Sequence, residues 1–248
     1  MGKYMKIIQK IAQREKDQCS IAPATIAFLG DSVTHGAFEL FNYTGVEGMD
    51  TVHDYSSAYP IRLREMFNLL YPKAQINIIN AGIAGDNAEG GLKRLEQDVL
   101  QFKPDLVIVS FGLNDASVNG LAGKDSYVEN IKEILLKIKE SGAEAIFLTE
   151  NYMNSRVSLK LAPSELLTNM AKACCITQNE GCLKAYFEAA KKMCAEIDVP
   201  VCDIYHAWEI MEKCKVDTTN LLVNHLNHPV RELHYYIAIK LIELICSN

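Results

Sequence analysis

The sequence predicts one α/β domain in which a parallel sheet is covered by helices on both faces. Two observations carry this. Short apolar runs alternate with amphipathic stretches along the chain, and glycines and polar residues cluster where each run stops. The first run, Thr25-Ile26-Ala27-Phe28-Leu29, stops at Gly30-Asp31-Ser32. The second is Ile76-Asn77-Ile78-Ile79-Asn80, ending at Ala81-Gly82. Leu106 to Phe111 is the third and ends at Gly112. Ala145 to Thr149 is the fourth, and Val199 to Asp203 is the fifth.

The stretches between them have helical spacing. Tyr59 to Leu70 places Leu63, Met66, Phe67 and Leu70 three and four residues apart, and Gly90 to Phe102 does the same with Leu92, Leu95, Val99 and Phe102. Val128 to Ser141 sets Ile131, Ile134, Leu135 and Ile138 on one face, with Gly142 closing the helix. Leu183 to Ile197 and Glu232 to Cys246 complete the set. Residues 33–57 and 151–180 break the rhythm and read as irregular, with Pro163 opening a short helix in the second. Both follow a strand end, so both belong over the carboxyl edge of the sheet, where open α/β sheets bind ligands. No repeat or linker divides the chain, and residues 1–248 read as a single domain.

The 248 residues carry a formal charge of −6, with 49% hydrophobic and 23% charged residues. Nucleic-acid binding needs clustered Lys and Arg, and the longest basic run is Lys191-Lys192. The first ten residues lack the apolar core of a secretion signal, and no run approaches the ~18 apolar residues of a membrane span. The expectation is therefore a cytoplasmic protein with a small-molecule partner, neither membrane nor nucleic acid; nothing in the sequence sets its oligomeric state. Eight cysteines stand at 19, 174, 175, 182, 194, 202, 214 and 246 without a C-x-x-C pair, so free thiols are expected rather than a zinc site.

The chemistry lies at the strand ends. Ser32 sits in a strand-to-helix turn that presents a hydroxyl outward while nearby amides face a developing oxyanion. Gly85 follows the second strand, where glycine lets a backbone N–H meet a ligand. The spacing Gly82-x-x-Gly85 lacks the first glycine of a dinucleotide loop. Asn114, in Gly112-Leu113-Asn114-Asp115, offers an amide donor or closes an Asx turn. His228 lies in Asn227-His228-Pro229, with Pro229 suited to the first turn of the last helix.

Taken in this order, Gly30-Asp31-Ser32, Gly85, Gly112-Leu113-Asn114-Asp115 and His228-Pro229 resemble the four sequence blocks of the SGNH (GDSL-like) hydrolases, the lipase and acylhydrolase family, over residues 25–235. Residues 85–92 look especially like the esterase and thioesterase members. The resemblance implies a three-layer α/β/α sandwich around a five-stranded parallel sheet of flavodoxin-like order. It implies Ser32 as nucleophile and His228 as general base. The implied oxyanion donors are the N–H groups of Ser32 and Gly85 and the side chain of Asn114. Two-step acyl transfer of this kind calls for no metal and no organic cofactor.

One position departs from the family pattern. The last block usually reads D-x-x-H, and His225 stands where the Asp belongs. A histidine supplies no carboxylate to stabilise the imidazolium. Three arrangements are open: a Ser–His dyad held by a backbone carbonyl, a carboxylate from elsewhere such as Asp217, or a weak enzyme. The dyad is the expectation, with Asp31, His225 and Asp217 as candidate supporting residues. The expected reaction is hydrolysis of short acyl esters, acetyl on a carbohydrate or another small molecule. Tyr43, Tyr55, Tyr59, Tyr152 and Asn154 are candidates either to contact the acyl acceptor or to pack. An acyltransferase using the same site and a non-catalytic carbohydrate-binding relic are the alternatives.

Overall fold

The computed structural model describes residues 5–42 and 49–247. Helix α1 (Lys6–Lys16) precedes β1 (Ala24–Gly30), the one-turn α2 (Ser32–His35) and the strands β2 (Ala37–Asn42) and β3 (Met49–His53). Then come α3 (Tyr59–Leu70), β4 (Ile76–Gly82), α4 (Ala88–Asp98), β5 (Leu106–Ser110), α5 (Leu113–Asn119) and α6 (Lys124–Glu140). The chain continues through β6 (Glu144–Thr149), α7 (Glu165–Asn179), α8 (Cys182–Glu196), β7 (Val201–Asp203), α9 (Ile204–Lys213) and α10 (Arg231–Ser247).

Five strands form one parallel sheet in the order β4-β1-β5-β6-β7. Numbered within the sheet, that is 2-1-3-4-5, the flavodoxin-like doubly wound order. Helices cover both faces: α4, α6 and α8 pack on one another in one layer, and α3 packs along α10 in the other. The central strands are buried on both sides, which is why they read as unbroken apolar runs. Phe28 and Leu29 of β1 and Leu106 to Val109 of β5 are fully enclosed. The chain leaves β1 in one direction to reach β4 and in the other to reach β5. This opens the switch-point crevice beside the carboxyl end of β1.

The structure differs from the sequence reading in three places that position this crevice. The segment read as irregular over 33–57 contains an antiparallel pair, β2 with β3. The final helix starts at Arg231 rather than at Pro229, which instead forms an isolated antiparallel bridge with Leu222. His228 therefore lies in an extended loop ahead of the helix. Within 151–180, the expected short helix is the full-length α7. Among the described residues no helix is long and apolar enough to cross a membrane.

Candidate active site

Ser32 opens α2, directly after the end of β1. Asp31 is the N-cap, its Oδ1 accepting the Val33 N–H at 3.0 Å. The helix has one turn because Gly36 follows it and donates to the Ser32 carbonyl. Gly82, the last residue of β4, is a packing residue. A Cβ there would lie 2.3 Å from the His35 backbone nitrogen, so only glycine lets β4 pass this close to α2.

His228 is brought to Ser32 from the other end of the chain. Its Nε2 lies 3.0 Å from Ser32 Oγ, and both residues are buried. The loop is held by Asn224, whose Oδ1 accepts the N–H groups of Leu226, Asn227 and His228, each at 3.0 Å. Asn151 clamps the same loop by donating to the Asn227 carbonyl at 2.8 Å.

The third member is a backbone group. His228 Nδ1 lies 2.8 Å from the Phe38 carbonyl oxygen on β2. A carbonyl only accepts, so Nδ1 carries the hydrogen and Nε2 keeps its lone pair for the Ser32 hydroxyl. Burial lowers the His228 pKa to about 4, against a smaller upward pull from the Phe38 carbonyl, and the nearby His53 lowers it further. The imidazole is thus neutral and ready to accept a proton across the physiological range.

The Phe38 carbonyl is itself anchored. Arg231, the first residue of α10, makes a bidentate pair with Glu39, Nη1–Oε1 at 2.6 Å and Nη2–Oε2 at 2.9 Å. Its Nε donates to Asp54 at 2.9 Å, and its guanidinium lies 4.2 Å from the centre of the Phe38 ring.

The three implied oxyanion donors come from α2, from the loop after β4 and from α5. Among the described residues, neither the Ser32 nor the Gly85 amide has an acceptor. Gly85 holds a φ of +82° with nothing near its missing side chain, so its backbone conformation, not space, selects glycine. Asn114 Nδ2 donates to the Asp86 carbonyl at 2.8 Å and lies 3.3 Å from Asp31 Oδ2. Asp115 is turned away and accepts the first amide of α4, that of Ala88, at 3.1 Å. Burial raises its pKa to about 6.

The profile of the GDSL-like lipase/acylhydrolase family matches residues 28–233. The chain belongs to that family. It is similar to an arylesterase of Vibrio mimicus, 33% identical over 38% of this chain and 48% of that protein. It is also similar to an acetylxylan esterase of Geobacillus stearothermophilus, 25% identical over 52% of this chain and 60% of the relative. The alignments thus span about half the length of these curated relatives. A solved lipase/acylhydrolase from Enterococcus faecalis superposes with a TM-score of 0.64 at 23% identity, covering 89% of this chain and 94% of that one. A catalytic mutant of an acetylxylan esterase from Geobacillus stearothermophilus gives 0.66 at 18%, covering 92% and 97%. At these identities the structural likeness establishes the fold alone.

Two candidate supporting residues are placed away from the family's usual role. Asp217 pairs with Arg156, whose Nε is 3.2 Å away, and with Asn220, so it is not the missing carboxylate. His225 stands in the left-handed region with φ +56°, and its Nδ1 is buried without a partner among the described residues. Tyr59, Tyr152 and Asn154 are buried packing residues, Tyr55 is 55% exposed, and Tyr43 lies outside the described residues. Tyr55 forms a ring cluster with His35 and His53. All eight cysteines are free thiols. No group of three His, Cys, Asp or Glu is placed to hold a metal among the described residues.

Proposed function

We propose that this protein is a serine esterase that hydrolyses short acyl esters through an acyl-enzyme. The observation that carries this reading is the contact of Ser32 Oγ with His228 Nε2 at 3.0 Å, with Nδ1 fixed on the Phe38 carbonyl. Ser32 attacks the ester carbonyl as His228 takes its proton, and the tetrahedral oxyanion is met by the N–H groups of Ser32 and Gly85 and by Asn114 Nδ2. His228 then protonates the leaving alcohol. In the second half-reaction it activates water, which releases the acid and restores Ser32. The Phe38 carbonyl steadies the imidazolium as an oriented dipole rather than as a charge.

Acetyl esters of a carbohydrate are the proposed substrate class, supported by the acetylxylan esterases among the relatives. The partner is then a small molecule, handled without cofactor. The test is labelling by a fluorophosphonate probe together with turnover of p-nitrophenyl acetate and an acetylated xylo-oligosaccharide. Wild type labels and turns over, whereas Ser32→Ala and His228→Ala do neither. Labelling that survives Ser32→Ala overturns the assignment of the nucleophile.

A further inference from the structure

Behind Ser32, two carboxyls are buried against each other. Asp31 is wholly enclosed and Glu150, directly after β6, is 3% exposed. Their oxygens meet the two segments that build the site. Asp31 Oδ1 accepts from Val33 N and Oδ2 lies 3.3 Å from Asn114 Nδ2, while Glu150 Oε2 accepts the Leu113 N–H at 2.8 Å. Glu150 Oε1 is left buried with no donor among the described residues. Its electrostatic neighbour is the Asp31 carboxyl, and each of the two acids shifts the other's titration. Two carboxylates only accept, so the buried Glu150 Oε1 is satisfied against Asp31 only if one of the two carries a proton.

We infer that Asp31 and Glu150 share a single proton, which Glu150 donates to Asp31, and that this proton positions Leu113 and Asn114 and keeps a second negative charge off the oxyanion site. Glu150 is thereby a positioning residue of the esterase. The inference deepens the reading of Asn114 as an oxyanion donor and rests on it.

The surroundings support a retained proton. The other acids facing the pair are Asp115 on α5 and Asp86 in the loop after β4, and Arg94 is committed to Asp86 at 2.7 Å. Tyr59 on α3 and Tyr127 on α6 are neutral phenols, held well above their ordinary pKa by burial. Burial raises the Glu150 carboxyl well above its usual range, and the adjacent Asp31 charge raises it further. Burial likewise pushes Asp31 upward, against the downward pull of its hydrogen bonds. When the shared proton leaves, both carboxyls are charged beside Asn114. The oxyanion then forms against that charge, and the Glu150–Asp31 bond is lost.

The experiment compares Glu150→Gln and Glu150→Leu with wild type. Glutamine keeps both contacts, its amide donating to Asp31 and its oxygen accepting from Leu113, but has no proton to lose. Wild-type kcat should fall about tenfold as pH rises beyond neutrality, with KM little changed. Glu150→Gln should hold kcat within a few-fold at neutral pH and lose that alkaline fall, and Glu150→Leu should lose about tenfold in kcat while remaining folded by circular dichroism. The midpoint of thermal unfolding supplies a readout independent of Ser32. A group with a raised native pKa stabilises at low pH and loses that contribution as pH rises through its native value. The wild-type midpoint should therefore decline as pH rises from the ordinary carboxyl range through the raised native values of the pair, and that of Glu150→Gln should decline less. A fall in kcat and in midpoint with rising pH that persists unchanged in Glu150→Gln, or full kcat in Glu150→Leu, overturns the inference. Ser32→Ala that remains active overturns the esterase reading instead and leaves the unfolding comparison standing.

Discussion

Replacing Arg231 by methionine should slow the enzyme more than it destabilises the fold. Arg231 holds Glu39 through two hydrogen bonds and Asp54 through one, and its guanidinium covers the Phe38 ring. Its side chain is 32% exposed, and those of Glu39 and Asp54 are 41% and 28% exposed, so the ion pairs are well screened. Pairs of this exposure contribute ~0.2–1 kcal/mol each, and a partly exposed cation–π contact ~0.5–1 kcal/mol. The loss is about 1–3 kcal/mol, which at this size lowers Tm by roughly 2–12 °C. Catalysis is more sensitive, because Glu39 adjoins the residue whose carbonyl sits 2.8 Å from His228 Nδ1. Misplacement of a catalytic group by ~1 Å costs up to ~10²-fold, so a partial loosening of β2 should lower kcat about tenfold with KM little changed. Arg231→Lys keeps the charge without the bidentate fork and should fall between. The assay is p-nitrophenyl acetate turnover beside thermal unfolding. A lowered Tm with unchanged kcat would show instead that the strand pairing alone holds the Phe38 carbonyl.

Three further substitutions probe the site. Asn114→Ala should lower kcat by about 10²–10³ while Ser32 still labels, since one oxyanion donor is lost and the dyad is kept; a change below about threefold in steady-state kcat would remove Asn114 from that role. His225→Asp restores the family's usual residue, yet His228 Nδ1 is already engaged by Phe38. It should leave kcat/KM within a few-fold, and a gain above about tenfold would show that a carboxylate reaches the ring from position 225. Gly82→Ala places a methyl carbon 2.3 Å from the His35 nitrogen and 2.7 Å from its Cα. Backbone must shift to admit it, so both Tm and kcat should fall as α2 is pushed from the sheet; native values of both would contradict the packing described for Gly82.

What was legible in the sequence was the frame and the side chains that stand on it. Gly30, Gly82 and Gly112 each close or follow an apolar run, and the structure puts Ser32, Gly85 and Asn114 just beyond those ends. Asn227-His228-Pro229 pointed to the histidine, though through a loop rather than a helix start. The carbonyl-held dyad was inferable from His225, but which carbonyl was not, because a main-chain oxygen leaves no residue signature. Finding Phe38 needed the β2–β3 pair, whose alternating Phe38-Glu39-Leu40-Phe41 was masked by the polar residues around it. Glu150 had a signal that went unread: an acid directly after the apolar run Ile146-Phe147-Leu148-Thr149 falls at the same sheet edge as Ser32. Arg231 carried none, since its partners Glu39 and Asp54 lie far away in the chain.

A buried, carbonyl-held histidine acting as the base leaves its mark on the pH dependence of kcat/KM. This quantity reports the free enzyme, in which only neutral His228 accepts the Ser32 proton. A carboxylate partner would raise the histidine above its ordinary 6.5, whereas burial against the Phe38 carbonyl lowers it to about 4. With folding verified at each pH by circular dichroism, the acid limb should fall near pH 4. An acid limb at or above 6.5 would rule out a carbonyl-held base and point to a carboxylate at the ring.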